Sequence, residues 1–234
     1  MSRKFLAGLV FLFLTLSSCG PPIVGGHLHP DAPYSVIDVS ILGFARLDSV
    51  IYSHTAQVGD SVVAAIDLNG RVHPSCALNW DSVTMKSAAE VRAQIAVMEQ
   101  IGKKHLVTAG KDISNPGIIG TLGMLLEVSG KGADIDLDRI PKPDLMKNNL
   151  TFELWVRMYP GMGFILTANK AHVAELVKLF AGVGMTAKEI GMVNSTRELR
   201  IHYQGVSVNE TKSEISTAAV TVTPFSLAID VGDA

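Results

Sequence analysis

Between Gly59 and Tyr203, short apolar strand patterns alternate with marked helix patterns, and this order leaves few folds open to the chain. The segment GDSVVAAIDLNG predicts a strand followed by a reversal at Asn69-Gly70, because Asn-Gly favours tight turns. Further strands are predicted in GFILTA, AKEIG and ELRIHY, and the apolar-polar alternation of TFELWVR predicts one more. The mixture of β-α-β units with antiparallel returns predicts an α+β fold, built as a layered α/β sandwich.

A capping box marks the start of the first helix, because Ser87 and Glu90 have the spacing at which two free N–H groups are satisfied reciprocally. Gly102 is expected at the end of this helix. Its buried stripe is predicted from three apolar residues at helical spacing, which are Val91, Ile95 and Met98.

The segment KDISNPGIIGTLGMLLEVSGKG predicts the end of a strand, a polar loop and a second helix. Asn115 suits the N-cap position, Pro116 the first helical position and Gly130 the position after the last turn. The free N–H groups and the dipole at such a helix start favour an anion. The same residues also suffice for a plain capping turn, which their chemistry alone favours.

The composition excludes several classes of protein. With 234 residues, 47% of them apolar and 18% charged, the chain is globular rather than disordered. A formal net charge of −2 and the lack of a dense basic run argue against nucleic acid as a partner. Two cysteines, Cys19 and Cys76, cannot build a disulfide framework or a Cys-rich zinc site.

Residues 1–21 form a hydrophobic leader with a basic start and an apolar run from Phe5 to Leu16. The order is that of a secretory signal, and Leu16-Ser17-Ser18-Cys19 resembles a bacterial lipobox. Export would make the protein an envelope-attached lipoprotein, in contact with the membrane only through a lipid on Cys19. The alternative is a packed helix in a cytoplasmic protein. We prefer it because only three residues separate Cys19 from the strand expected at Ile23.

The segment GGHLHPDA places His27, His29 and Asp31 on one side of an extended chain. Imidazole and carboxylate groups suit zinc and similar ions, so a metal hydrolase is one interpretation. The remaining histidines show no paired spacing that would complete such a site. We therefore expect a polar turn and no bound zinc.

Several segments, taken together and in order, resemble the aminoimidazole ribonucleotide (AIR) synthetase-like superfamily, and in particular its AIR synthase-related proteins. The resemblance runs from Pro22 to about Tyr203. The matching segments are PIVGGHLHPDAPYSVIDVSILG, GDSVVAAIDLNG, KDISNPGIIGTLGMLLEVSGKGADIDLDRIP, YPGMGFILTA and GMTAKEIGMV. The resemblance implies a fold like the AIR synthetase C-terminal domain, with ferredoxin-like β-α-β elements.

The resemblance also implies a site, which would use ATP and magnesium to phosphorylate an oxygen of a small molecule of unknown identity. His27 and Asp112 would have catalytic roles. The residues expected to contact the nucleotide are Gly25, Gly26, Asp31, Ser114, Asn115 and Gly117. No residue is assigned as a metal ligand, and the family implies a homodimer.

This chain departs from the family pattern before Pro22, where the glycine–aspartate motif of an ATP-binding domain is expected. Residues 22–50 are interpreted as a remnant of that domain, residues 51–204 as the C-terminal domain and residues 205–234 as an irregular tail. Two functions remain open. The first is ancestral ATP-dependent phosphoryl transfer or ligation that is incomplete in this chain, with ATP and magnesium either bound or absent. The second is a non-catalytic binding or dimerisation module.

Overall fold

The computed structural model describes residues 44–203 and 206–207, and from Leu47 onward these belong to one compact unit. The strands are β1 Ser61–Ile66, β2 Arg71–His73, β3 Cys76–Asp81, β4 Ala109–Asp112, β5 Gly132–Asp136, β6 Tyr159–Pro160, β7 Gly163–Ala168, β8 Thr186–Asn194, β9 Leu199–Tyr203 and β10 Val206–Ser207. The helices are α1 Ala88–Lys103, α2 Gly117–Ser129, α3 Phe152–Arg157 and α4 Val173–Ala181. Short 3-10 turns occupy Leu47–Ser49, Leu137–Arg139 and Lys170–His172.

The strands form two sheets. The larger has seven strands in the order β10-β9-β5-β8-β1-β7-β4, and the smaller has three in the order β2-β3-β6. In the larger sheet only the β5–β9 pair is parallel, and the other neighbours run antiparallel. In the smaller sheet β2 and β3 are antiparallel, while β3 and β6 are parallel. The predicted α+β class is therefore confirmed.

Strand β1 lies inside the larger sheet between β8 and β7, and all six of its residues are buried. Val62, Ala64 and Ile66 face one core cluster, whereas Val63 and Ala65 face the other. Full burial of a Val or Ile side chain contributes roughly 1.5–3 kcal/mol. A strand that is apolar on both sides must therefore be covered on both faces, which explains the layered architecture.

Helices cover the two faces of β1. Val97 and Ile101 of α1 and Phe180 of α4 lie in the core with Val63. The opposite core contains the apolar side of α2, the indole of α3 and Trp80 of the smaller sheet. The indoles of Trp80 and Trp155 meet edge to face at 5.4 Å between ring centroids, so the smaller sheet and α3 are packed against each other.

Helix α1 confirms the predicted capping box, since the Ser87 side chain accepts the Glu90 N–H and Glu90 accepts the Ser87 N–H at 2.9 Å. The predicted stripe is partly wrong. Ile95 is 55% exposed, whereas Gln94 is buried. The buried face of the helix is centred on Gln94, Val97 and Ile101 instead. Val91 and Met98 lie at the border of this face and are partly buried.

The predicted strand TFELWVR is wrong, because this segment forms helix α3. The Thr151 side chain accepts the Leu154 N–H at 3.1 Å and caps the helix. Trp155 is fully buried and its indole N–H donates to the Pro141 carbonyl at 2.9 Å. A strand would place Trp155 on the same side as Glu153 and Arg157, and the helix separates it from them.

The strands predicted in GFILTA, AKEIG and ELRIHY correspond to β7, β8 and β9. Asn169 caps the 3-10 turn that leads into α4, since its side chain accepts the Ala171 N–H at 3.0 Å. The leader, the segment PIVGGHLHPDAPYSVIDVSILG and the tail after Ser207 lie outside the described residues. Among the residues that the structure describes, no helix is long and apolar enough to cross a membrane.

Candidate functional site at the start of helix α2

Strand β4 carries Asp112 to the edge of the larger sheet, where it pairs with Phe164 of β7. The chain then passes through a loop of four residues, 113–116, and enters α2 at Gly117. Asp112 and the N–H groups at the start of the helix are thus held within one short strand–loop–helix connection.

Asp112 and Ser114 are joined by a hydrogen bond in which the Ser114 hydroxyl donates to the Asp112 carboxylate at 2.5 Å. The Asp112 side chain is 67% exposed, and the Lys111 Nζ lies 3.6 Å from its other carboxylate oxygen. This gives a solvent-facing cluster of one carboxylate, one hydroxyl and one ammonium group.

The loop is anchored to the core by two hydrogen bonds. The N–H of Ile113 donates to the Gly163 carbonyl at 2.9 Å. The N–H of Ser114 donates to the Thr121 hydroxyl at 3.0 Å. Since Thr121 and Ile113 are both buried, the backbone of the loop is fixed while the Asp112 carboxylate remains in solvent.

Helix α2 begins one residue later than predicted. Pro116, not Asn115, occupies the N-cap position, and no side chain caps the helix. Proline has no N–H and no polar side chain, so the first N–H groups after Gly117 are without the side-chain acceptor that Asn115 would have supplied. Gly130 ends the helix in the left-handed conformation with φ of 64°, as expected.

Gly117 has a structural role in addition to the predicted contact with a nucleotide, which stays a prediction. Its φ is +74°, and a Cβ at this position would lie 2.7 Å from the Arg157 carbonyl oxygen and 2.8 Å from that of Val156. The residue is buried against the carboxyl end of α3. Glycine is therefore required here by backbone conformation and by close packing.

Asp112 ends β4, and Ser114 and Asn115 lie in the loop that follows it. The other predicted site residues lie outside the described residues, and these are Gly25, Gly26, His27 and Asp31. Within the described part of the chain, no group of three or more His, Cys, Asp or Glu side chains could hold a metal ion. The predicted roles of all these residues remain predictions.

The sequence prediction missed Thr121 and Lys111. Thr121 is the only polar side chain between Gly117 and Leu126, and a single hydroxyl in an apolar helix was the signal that could have identified it. Lys111 has no comparable signal, because a lysine at the end of an edge strand is ordinary.

Cys76 lies in the smaller sheet rather than at this loop. Its Sγ is 3.2 Å from the Tyr159 hydroxyl. This hydrogen bond lowers the pKa of the Cys76 thiol and raises the pKa of Tyr159. His73 Nδ1 is hydrogen-bonded to Ser75, and among the described residues no hydrogen bond joins His73 to Cys76.

Residues 48–204 match the family of AIR synthase related proteins, C-terminal domain. This match covers more than half of the chain. The protein therefore belongs to the AIR synthase-related family, through the C-terminal domain of that family.

Similar proteins extend this result. The chain is 47% identical over 182 residues to an uncharacterized protein of Methanocaldococcus jannaschii, covering 78% of this chain and 55% of the relative. It is 34% identical over 180 residues to an uncharacterized protein of Synechocystis, covering 77% of this chain and 54% of the relative. The chain thus spans about half the length of these curated relatives. Phosphoribosylformylglycinamidine synthase subunit PurL of Trichormus variabilis is 25% identical over 228 residues, covering 89% of this chain and 29% of PurL.

Solved structures show the same fold. PurL of Thermotoga maritima complexed with ATP matches with a TM-score of 0.57 and 15% identity, covering 77% of this chain and 27% of that protein. PurL of the same organism complexed with FGAR matches with a TM-score of 0.58 and 14% identity, covering 75% and 32%. These similarities confirm the fold expected for the C-terminal domain of this family.

Proposed function

We propose that the loop 112–116 and the amino end of α2 hold the phosphates of ATP, in phosphoryl-transfer or ligase chemistry of the AIR synthetase type. The observation that carries this proposal is the Asp112–Ser114 pair, fixed in front of a helix start that has no side-chain cap. Free N–H groups at a helix start bind anions, and the dipole adds about 0.3–1 kcal/mol at an exposed site. The ATP complex of a PurL with the same fold supports the choice of nucleotide.

Magnesium fits this site in part. The ion prefers oxygen ligands and commonly takes one or two carboxylates together with substrate phosphates. Asp112 offers an exposed carboxylate, and the Ser114 hydroxyl lies beside it. When bound, magnesium would neutralise phosphate charge. The residues of this chain would position the phosphates and the Asp112 carboxylate relative to each other.

We further propose that this chain turns ATP over slowly or not at all by itself. The site described here offers one carboxylate and one helix start, and the helix start contributes about 0.3–1 kcal/mol to anion binding. Enzymes typically lower the activation free energy by about 8–23 kcal/mol. We expect turnover well below about 1 s⁻¹, the low end of ordinary enzymes. Turnover near that value that Asp112→Ala abolishes would show that the site is complete.

Calorimetric titration with ATP tests the proposal. With magnesium, Asp112→Ala and Ser114→Ala should each weaken ATP binding several-fold. Without magnesium, Asp112→Ala should leave binding unchanged or strengthen it, because the substitution removes a negative charge near the phosphates. Glu99→Ala, which removes an exposed carboxylate of α1, is the matched control and should change neither titration. Equal affinities of all variants with magnesium would refute the proposed site.

A dimerisation module is the second candidate, and apolar side chains on the outer face of α2 favour it. Met124 and Val128 are 43% and 58% exposed. We propose that a second copy of the chain covers this face, in keeping with the homodimer that the family implies. Sedimentation of the chain and of Val128→Asp tests this, since a monomer in both cases would contradict it.

A further inference from the structure

A concave site lies away from the loop 112–116, between the turn that follows β1 and the segment 143–148. It is an open cleft of about 440 Å³, within the range of about 300–1,000 Å³ that small-molecule sites occupy. Its apolar surface comes from Leu68, Met85 and Pro143. No residue of the loop 112–116 lines it.

The wall formed by the turn after β1 is fixed by hydrogen bonds to the buried carboxylate of Asp67. The fully buried carboxylate of Asp67 accepts hydrogen bonds from Lys86 Nζ at 2.7 Å, from Gln94 Nε2 at 2.6 Å and from the Asn69 N–H at 2.9 Å. A Cβ on Gly70 would lie 2.7 Å from the indole nitrogen of Trp80. The backbone of this wall is thus fixed before any ligand binds, which lowers the entropic cost of binding.

The opposite wall is ordered by Asp144. One of its carboxylate oxygens accepts the Lys147 N–H at 3.0 Å, and its carbonyl accepts from the Asn148 side-chain amide at 2.7 Å. Both hydrogen bonds join residues three or four positions apart, so they order the segment 143–148 itself.

The polar groups of the cleft are mostly acceptors. The Asn69 side-chain nitrogen donates to the Gly184 carbonyl at 3.1 Å, and the Asn148 side-chain nitrogen donates to the Asp144 carbonyl. Within the described residues, the amide oxygens of Asn69 and Asn148 and the second carboxylate oxygen of Asp144 make no side-chain hydrogen bond. A complementary ligand therefore presents N–H donors on an apolar body.

We propose that this cleft binds a planar nitrogen heterocycle bearing an exocyclic amine, the class to which adenine and cytosine belong. The ring would lie against Leu68, Met85 and Pro143. The amine would donate to the oxygens of Asn69, Asn148 or Asp144. The exposed Lys147 lines the same cleft and would meet an acidic substituent such as a phosphate.

Nucleosides test this site separately from the phosphate site at α2, because they carry no phosphate. The full chain is titrated with two matched pairs, adenosine against purine riboside and cytidine against pyrimidin-2-one riboside, in which a hydrogen atom replaces the amine. We expect the amine-bearing member of each pair to bind about tenfold more tightly, a difference that one or two hydrogen bonds supply. Equal affinities within both pairs, or no binding of any nucleoside at millimolar concentration, would overturn the proposal.

Variants locate the binding. Asn148→Leu should remove the preference for the amine, and Met85→Asp should weaken both members of each pair, with melting temperatures measured alongside. Both residues belong to the surface of the cleft, and Met85 is 51% exposed, so Met85→Asp is expected to fold. Asp112→Ala is the matched control and should leave nucleoside affinity unchanged. Loss of nucleoside binding in Asp112→Ala but not in Met85→Asp would place the ligand at α2 and contradict the proposal.

Discussion

At the start of helix α2, the geometry of the loop depends on one buried side chain. The Thr121 hydroxyl accepts the Ser114 N–H, and the Ser114 hydroxyl in turn holds the Asp112 carboxylate. The Thr121 hydroxyl, in an otherwise apolar stretch of helix, thus fixes the position of the exposed Asp112–Ser114 pair.

Thr121→Val keeps the shape of the side chain and removes the acceptor. The Ser114 N–H then has no partner, which costs about 1–3 kcal/mol. We expect a loss of that size in urea unfolding, together with weaker ATP binding. Thr121→Ser retains the hydroxyl and is the control. If Thr121→Val bound ATP as well as Thr121→Ser does, the loop would not depend on this contact.

Asp81 provides a test of pH dependence away from the site. Its buried carboxylate accepts hydrogen bonds from the hydroxyl of Thr84 at 2.5 Å, the N–H of Thr84 at 3.0 Å and the N–H of Val83 at 3.3 Å. These bonds, the hydroxyl first, lower the pKa of Asp81 from 3.8 to about 2. Because the folded pKa lies below the unfolded one, the ionised group stabilises the fold above about pH 4, and the contribution is lost as the pH falls toward 2.

Asp81→Asn should therefore destabilise the protein at neutral pH and matter progressively less below about pH 4. Urea unfolding at several pH values measures this difference. Glu153→Gln, at a side chain that is 76% exposed, should show little difference at any pH. A difference for Asp81→Asn that stays constant from pH 7 down to pH 2 would contradict the assignment.

At the scale of elements, two glycines of α2 have opposite roles. Gly117 combines a positive φ with backbone contacts that exclude a Cβ, so Gly117→Ala should destabilise the protein by about 1–3 kcal/mol. Gly123 lies in the same helix, and a Cβ added there would have no atom within 4 Å, so Gly123→Ala should stabilise by about 0.4–1 kcal/mol. Thermal unfolding of both variants measures the contrast. Equal effects of the two substitutions would show that the start of α2 is not packed against α3.

The elements also show which local signals were sufficient. The capping box of α1 is a contact between residues three apart, so the sequence reveals it directly. Helix α3 shows where prediction from local sequence fails. Its alternation of apolar and polar residues suits a strand, but burial of Trp155 against Trp80 is a tertiary contact that the local pattern does not contain. The same holds for the tie between Ser114 and Thr121, which only the folded helix brings together.

At the scale of the whole molecule, the sandwich places the candidate site at an edge. Among the strands that the structure describes, β4 is the last on its side of the larger sheet, and the Asp112 side chain at its end is exposed. The family accounts for this fold, since residues 48–204 match its C-terminal domain. The resemblance therefore predicted the fold well, whereas it did not reveal that Gly117 is packed against the carbonyl groups at the end of α3.

The central claim is that phosphates bind at the loop 112–116 and the start of α2. The most direct measurement is the change in backbone amide chemical shifts of the full ¹⁵N-labelled chain when magnesium tripolyphosphate, which has no nucleobase, is added. We predict the largest shifts at the amides of Ser114, Ile118 and Ile119, and their loss in Asp112→Ala. Shifts that are absent at these amides, or that are confined to the turn after β1 and the segment 143–148, would contradict the account.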